Sequence, residues 1–271
     1  MKTYVITVAT FKECIRQPLF LVLLLVAGGL LLVSPFVPYY TFGEDIKMVK
    51  DTGLATVLIA ALFLALVSSS TSISEEIEGR TAITLLSKPI TRRQFIVGKL
   101  LGVLAAVAVL FVVLGVIFAL TIYYKVEYDA REASGLAPPS AERWAEVWQI
   151  APGLVLSFFE VAVLSAISVA ISTRVPMLVN LVVCLALFVL GHLAPVIVRV
   201  TEGRFELVAF MARLFATILP ALEAFNVKAA VATNTPIPWG GYVAWAFVYC
   251  VIYCTIALLL AFILFEDRDL A

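Results

Sequence analysis

Six stretches of this chain stay apolar for about the thickness of a bilayer, and that restricts nearly everything else it can be. Crossing about 30 Å of hydrocarbon takes about 20 mostly apolar residues, and residues 19–40, 54–72, 100–124, 152–172, 177–198 and 242–265 each meet that requirement. Each must be helical, because a lone segment in lipid satisfies its own backbone hydrogen bonds only as a helix. The expected fold is therefore all-α: a polytopic membrane protein with six transmembrane helices, forming a single transmembrane domain over residues 1–271. Composition agrees, since 14% charged residues against about 25% in soluble domains cannot clothe a water-facing surface. The first span is not a cleavable signal peptide: it is too long, lacks a small-residue cleavage site and is followed by five more.

Lys/Arg density sets the expected orientation. Residues 1–18, 73–99, 173–176 and 266–271 would share one side and carry ten Lys/Arg (Lys2, Lys12, Arg16, Arg80, Lys88, Arg92, Arg93, Lys99, Arg174, Arg268). The other side carries nine over a longer stretch, mixed with eleven acids. The density places both termini in the cytoplasm, in the cell (inner, cytoplasmic) membrane. Tyr39, Tyr40, Tyr123, Tyr124 and Tyr242 fall together on the outer side, as an interfacial belt would. Two outer loops are expected, 125–151, with a short helix bearing Trp144 and Trp148, and 199–241. Within the second, 205–219 is apolar but interrupted by Glu206 and Arg213, which predicts an interfacial or partly re-entrant helix rather than a seventh span. Ahead of the first span, Tyr4, Val5, Val8, Phe11 and Ile15 recur at helical spacing until Pro18, predicting an amphipathic helix at the cytoplasmic interface over residues 1–18.

The stretch 74–102, SEEIEGRTAITLLSKPITRRQFIVGKLLG, is the most informative. Glu75, Glu76 and Glu78 extend the second span into the cytoplasm, and Gly79, Arg80 and Thr81 follow. Ser87-Lys88-Pro89 marks a turn, because Pro89 has no N–H to donate and restrains Lys88. Thr91 is the expected N-cap of a helix that runs through Arg92 and Arg93 into the third span. A projecting helical hairpin with an apolar patch (Ile83, Leu85, Leu86, Ile90) suits docking into a groove on a soluble partner. Physics alone leaves an ordinary charged inner loop equally open.

Motif resemblance bears on that choice. Glu76-Ile77-Glu78-Gly79-Arg80-Thr81, then Leu85-Leu86-Ser87-Lys88-Pro89-Ile90-Thr91-Arg92, then Gly98-Lys99-Leu100-Leu101-Gly102 resembles the intracellular loop of ABC-2 type permeases, the membrane subunits of type II ABC exporters. Arg80 stands where that family commonly steps directly from Gly to Thr. The first helix resembles the family's elbow helix, residues 219–226 (LPALEAFN) its loop before the last span, and residues 265–270 (FEDRDL) its C-terminal tail. The resemblance implies a permease that pairs with a second permease copy or a paralogue and binds two cytoplasmic ABC ATPase subunits. Residues 73–99 would be the coupling segment, with Glu75, Glu76, Glu78, Gly79, Arg80, Thr81, Leu85, Leu86, Ser87, Lys88, Pro89, Arg92 and Arg93 as its contacts. ATP and Mg would sit on those ATPases, and this chain would bind no cofactor. The chain carries no G-x-x-x-x-G-K-[ST] phosphate loop, so it is not expected to be an enzyme.

Glu160 is the one formal charge well inside a span, so it must face protein or water or be protonated; it would line a path or serve helix packing. Ser157, Ser165, Ser168 and Ser172 recur near helical spacing on the same span and suit close helix contact better than substrate contact. Gly98 and Gly102 form a small-x-x-x-small pair that predicts a close helix crossing. A single histidine, His192, excludes a multi-His metal site within one subunit, and a helix-supporting role is expected for it. Cys250 and Cys254, one turn apart, read as small apolar fillers. Balanced charge, with 19 Lys+Arg and 19 Asp+Glu, suggests no nucleic-acid partner; membrane lipid is the expected surround.

Three functional classes follow. One is an ABC exporter permease. A second is a permease-like subunit that passes ATPase motion to an extracytoplasmic assembly or metal-cofactor maturation partner, as in the nitrous-oxide reductase maturation system that the chain also resembles. The third, a standalone channel or intramembrane enzyme, lacks a catalytic pair. For topology, cysteines placed at Lys47, Trp144 and Glu202 are expected to react with an impermeant maleimide from outside intact cells, and those at Arg80 and Arg268 only after permeabilisation. The reverse labelling pattern would invert the assignment.

Overall fold

The computed structural model describes residues 2–37, 45–78, 91–134, 138–201 and 206–266. Among these there is no strand. The helices are α1 (Lys2–Arg16), α2 (Pro18–Val33), α3 (Asp45–Glu78), α4 (Arg92–Ser134), α5 (Ser140–Ser172), α6 (Met177–Thr201), α7 (Glu206–Ile218), α8 (Lys228–Ala232) and α9 (Ala244–Glu266). Short 3-10 turns lie at Ser34–Phe36 and Leu222–Phe225, and a π turn at Trp239–Val243. Six helices, α2 to α6 and α9, are long and apolar enough to span a membrane, as the apolar runs predict. Lys99 of α4 meets Glu13 of α1 at 3.6 Å, and Arg92 meets Phe265 at the end of α9, so both chain ends lie on one face. This is the terminal face; the opposite one is the distal face.

Pro18 sets the first corner. Gln17, held extended at φ −64° and ψ 135° before the proline, separates α1 from α2, and Pro18 takes the first position of the new helix. α1 then lies along the root of α4. A Cβ on Gly98 would stand 2.7 Å from Ile6 Cγ2, and one on Gly102 would stand 2.8 Å from the Thr7 carbonyl, so the small pair lets α1 approach α4 at backbone distance. The face of α1 turned to α4 is built from Thr3, Ile6, Thr7 and Thr10, while Tyr4 and Val5 stay exposed. Cys14, fully buried on the same helix, has its thiol pushed up to about 11 by burial and acts as a small apolar packer.

Burial divides the spans into two classes. In α3 and α5, 67% of the most apolar window is buried, against 22% in α2 and 17% in α6 and α9. α3, α4 and α5 pack on one another through Leu58, Leu62, Ala65, Val107, Leu114 and Leu164, and the other spans lean on this triad.

The segment 125–151, expected as an outer loop, is helical on both sides of residues 135–139. α4 runs unbroken for 43 residues, about 64 Å at 1.5 Å per residue, and α5 begins at Ser140 and continues through Pro152 rather than starting there. Charge pairing supports the extension. Glu127 holds both Arg131 and Arg143, Lys125 pairs with Asp129 at 2.8 Å, and Arg143 lies 4.7 Å over the Tyr123 ring.

The segment 199–241 also departs from a surface loop. α6 extends to Thr201, and α7 turns back beside it, enclosing an apolar gap of about 310 Å³ with Leu190, Ala194, Ile197, Phe215 and Leu219 on its walls. The chain turns at Pro220, whose carbonyl lies where a Cβ on Gly191 would be 2.9 Å away. It climbs back through Leu222–Phe225 and α8 to Asn234, which meets Lys50 and Glu146 near the distal ends of α3 and α5. At 13 residues, α7 covers about 20 Å, too little to cross. Glu206 and Arg213 therefore belong to a re-entrant hairpin entering from the distal face.

Lys50 closes this hairpin. Fully buried, it pairs with Glu146 and donates to Gln149 Oε1 at 3.1 Å and Asn234 Oδ1 at 2.6 Å, which uses all three of its protons. Asn234, at φ 57°, returns a bond from Nδ2 to Glu146 Oε1 at 3.0 Å. Removing one partner of such a pair strands the other charge. Glu146→Ala is expected to destabilise the detergent-solubilised protein by about 3–5 kcal/mol, seen as a lower Tm, with Glu146→Gln falling between it and the native protein. A Tm unchanged in Glu146→Ala would make the cluster dispensable.

Candidate functional site

Two places concentrate polar groups that a bare bundle does not need. At the terminal face, α3 carries Glu75, Glu76 and Glu78 on its last turns and α4 begins at Arg92. Gly79, Arg80, Thr81, Leu85, Leu86, Ser87, Lys88 and Pro89 lie outside the described residues. Thr91 caps α4 as its position suggested. Gln94 N–H donates to Thr91 Oγ1 at 3.3 Å and Thr91 N–H donates to Gln94 Oε1 at 3.4 Å, a reciprocal capping box.

Arg92 and Arg93 then turn toward α9. Arg92 Nη1 donates to the Phe265 carbonyl at 3.1 Å, with its guanidinium 5.7 Å from that ring, and Arg93 lies 5.9 Å from the Phe262 ring. A cation at the last carbonyls of α9 also meets the negative end of that helix. The two arginines therefore tie the start of α4 to the end of the last span, across a hollow of about 370 Å³.

The second place lies inside the bundle. The serine run at the terminal end of α3 reaches three different neighbours: Ser68 Oγ donates to Gln17 Oε1 at 3.3 Å, Ser69 Oγ to Ser168 Oγ at 2.6 Å and Ser70 Oγ to the Met177 carbonyl at 3.4 Å. Asn180 of α6 donates to Ser168 Oγ at 2.9 Å, so Ser168 joins α3, α5 and α6. Ser165 bonds its own helix, at the Val161 carbonyl, and Ser157 is buried higher on the same helix. Cys250 and Cys254 are free thiols 4.0 Å apart, with Cys250 donating to the Phe159 carbonyl.

Toward the distal side Glu160, 1% exposed, faces His192 of α6, with Oε1 and Nε2 3.4 Å apart. His192 Nδ1 lies 3.0 Å from the Phe188 carbonyl. Just beyond them sits the tip of the re-entrant hairpin, where irregular backbone stands at membrane depth and must find partners. Tyrosines of α9 and the π turn before it supply them. Tyr253 Oη donates to the Ile218 carbonyl at 2.8 Å, Tyr249 Oη accepts from Ala221 N–H at 2.9 Å, and Tyr242 Oη donates to the Ala224 carbonyl at 2.6 Å. Tyr249 and Tyr253 went unnoticed in the sequence. Their signal was present: two phenols one turn apart inside a span that otherwise has no need of hydroxyls.

Residues 27–270 match the family described as ABC-2 family transporter protein. The chain belongs to that family. It is thus the multi-pass membrane component of an ABC transporter, a permease and not itself the catalytic part, and its family works with ATPase subunits. No curated protein matches the chain. The terminal face holds the end of the second span and the start of the third, and the distal face holds the hairpin.

Replacing Tyr249 and Tyr253 by Phe leaves an N–H and a carbonyl of the hairpin tip without partners, at about 1–3 kcal/mol each. Amide exchange of residues 218–225 is expected to speed up in the double variant while α3 and α5 stay protected. Unchanged exchange at the tip would show that the phenols do not hold it.

Proposed function

We propose that this chain is the permease subunit of an ABC transporter that moves a substrate across or out of the cell membrane, driven by two ATPase subunits docked on residues 73–99 at a cytoplasmic terminal face. The observation that carries the reading is the capped, anchored start of α4. At the end of the LLSKPITR stretch, Thr91 caps the helix that begins at Arg92, and this helix is fastened by Arg92 to α9 and by Gly98 and Gly102 to α1. A push on residues 79–90 would pass into α3 and α4 as rigid rods and drag α1 and the end of α9 with them. ATP and Mg would belong to the ATPases, whose closure supplies the push. A second permease copy or a paralogue would complete the path, and the exposed apolar faces of α2, α6 and α9 suit that partner and surrounding lipid. The groove of about 550 Å³ between α2 and α4, walled by Leu32, Phe36, Leu120 and Tyr124 with Lys125 and Arg131 beside it, suits lipid as well.

One observation favours a second reading, in which ATPase motion serves an extracytoplasmic assembly or cofactor-maturation partner. The paired extensions of α4 and α5 rise from the distal face with Tyr128, Trp144 and Trp148 exposed, a surface that a soluble partner could grip. A neighbouring gene for a β-helical periplasmic protein would favour this reading over bulk transport.

Charge reversal at the coupling segment separates docking from folding. Glu78→Arg with Lys88→Glu is expected to abolish copurification of an ATPase bearing a phosphate-loop sequence, while membrane insertion and the gel-filtration profile stay native. Arg92 is left intact because it holds the Phe265 carbonyl. ATPase binding and stimulation that survive the double reversal would refute the docking assignment.

A further inference from the structure

Glu160 is buried where an uncompensated carboxylate is costly, and no hydrogen bond of standard geometry reaches its Oε1 among the described residues. His192 Nε2 lies 3.4 Å from that oxygen. The other ring nitrogen fixes what Nε2 can be. A carbonyl only accepts, so the 3.0 Å contact with Phe188 O requires Nδ1 to carry a hydrogen. In neutral imidazole that leaves a bare lone pair on Nε2, 3.4 Å from a carboxylate oxygen that also has only lone pairs. Two acceptors this close inside a membrane repel unless one of them carries a proton. The pair therefore holds one proton, either as carboxylic acid with neutral imidazole or as carboxylate with imidazolium, and both forms are neutral overall.

The site has an entrance and a neighbour that responds to it. Glu160 is sealed, with its side chain 2% exposed, whereas His192 is 21% exposed, so the imidazole is the part of the site that reaches the protein surface and through which a proton would enter or leave. Next to His192, Gly191 touches Pro220 and Leu222 at the hairpin tip. The charges that act on Glu160 from a distance, Lys228 and Glu223, both ride on the returning limb of that hairpin. The other surrounding elements bring no charge. Residues 52–74 of α3 and 100–122 of α4 contain no ionisable side chain, and α9 offers only Tyr249, Tyr253, Cys250 and Cys254 before Glu266. Without its proton the pair carries one negative charge, which attracts Lys228 and repels Glu223. Seating of the hairpin and occupancy of the site are then thermodynamically linked.

We propose that Glu160 and His192 form a single proton-binding site within the membrane, and that its occupancy sets how the tip of the re-entrant hairpin, residues 218–225, is seated between α6 and α9. This goes beyond the permease assignment and does not depend on it, because the purified chain alone should show it.

The chain has one histidine, so ring-¹⁵N labelling of histidine reports His192 without assignment. The full-length protein in liposomes is titrated and read by solid-state NMR, with amide exchange of residues 218–225, corrected for intrinsic rates, measured at the same pH values. In the native protein Nδ1 is expected to stay protonated while Nε2 changes state in one step, and tip protection should follow that step. In Glu160→Gln, close to isosteric, the Nε2 midpoint should move by about one pH unit or more, the size of a nearby charge's effect, and tip protection should lose its pH dependence. His192→Gln should also remove that dependence and provides a second check on folding. An Nε2 titration identical in native protein and Glu160→Gln overturns the site. A displaced titration with tip protection indifferent to pH overturns the coupling.

Discussion

Every unpaired peptide group at membrane depth needs a partner inside the protein, and this demand organises the chain beyond its six spans. A helix meets it alone, which is why most of the structure is long helices. The re-entrant hairpin cannot, since its tip passes through Pro220 and a 3-10 turn. It persists because α9 and the turn before it present three phenols at the required heights, and because Gly191 leaves room for the backbone to press against α6. The last span thus serves the segment before it as much as it serves the bundle.

Ionic groups obey the same economy at the membrane's edges. Lys99 near the terminal face and Lys50 and Lys125 near the distal face are almost wholly buried, yet each meets a carboxylate. Buried charges of this kind contribute little net stability, but losing one partner is severe. They act as pins: Lys50 ties α3 to α5, Lys125 of α4 reaches Asp45 of α3 at 3.8 Å, and Lys99 ties α4 to α1. Between those pins, by contrast, the triad is joined by neutral contacts and small residues, and near its terminal end the Ser69–Ser168–Asn180 chain of hydrogen bonds ties it to α6. The distal hairpin is clamped at its outer end by Lys50 and held at its inner end by tyrosines, with the one intramembrane acid beside that inner end.

Much of this was legible in the residues. Apolar run length located the six spans, Pro18 the first corner, Thr91 the start of α4, and the Gly98/Gly102 pair a close crossing, because each signal is local. What stayed hidden depends on partners far apart in the chain. The stretch 125–151 looked like a loop because it is charged, and only the fold shows Glu127 reaching Arg143 to keep both helices going. The large apolar residues of α1 signalled an amphipathic helix but not its contact with α4, which Thr3, Ile6, Thr7 and Thr10 make against two glycines. Glu160 was visible as an anomaly and His192 as a lone histidine, but nothing in sequence places them opposite each other. Residues 79–90, which carry the family motif, lie outside the described part of the structure, so the coupling site rests on its flanks.

The extended pair of α4 and α5 has a geometric corollary. Ten residues of α4 beyond Tyr124, to Ser134, add about 15 Å of helix past the apolar run, braced by ion pairs along its base. A pillar of that height sets a stand-off. Any macromolecule that settles on this side of the membrane touches the pillar's rings and charges while still well clear of the lipid headgroups, and its tilt is dictated by a support that lies off to one side of the subunit.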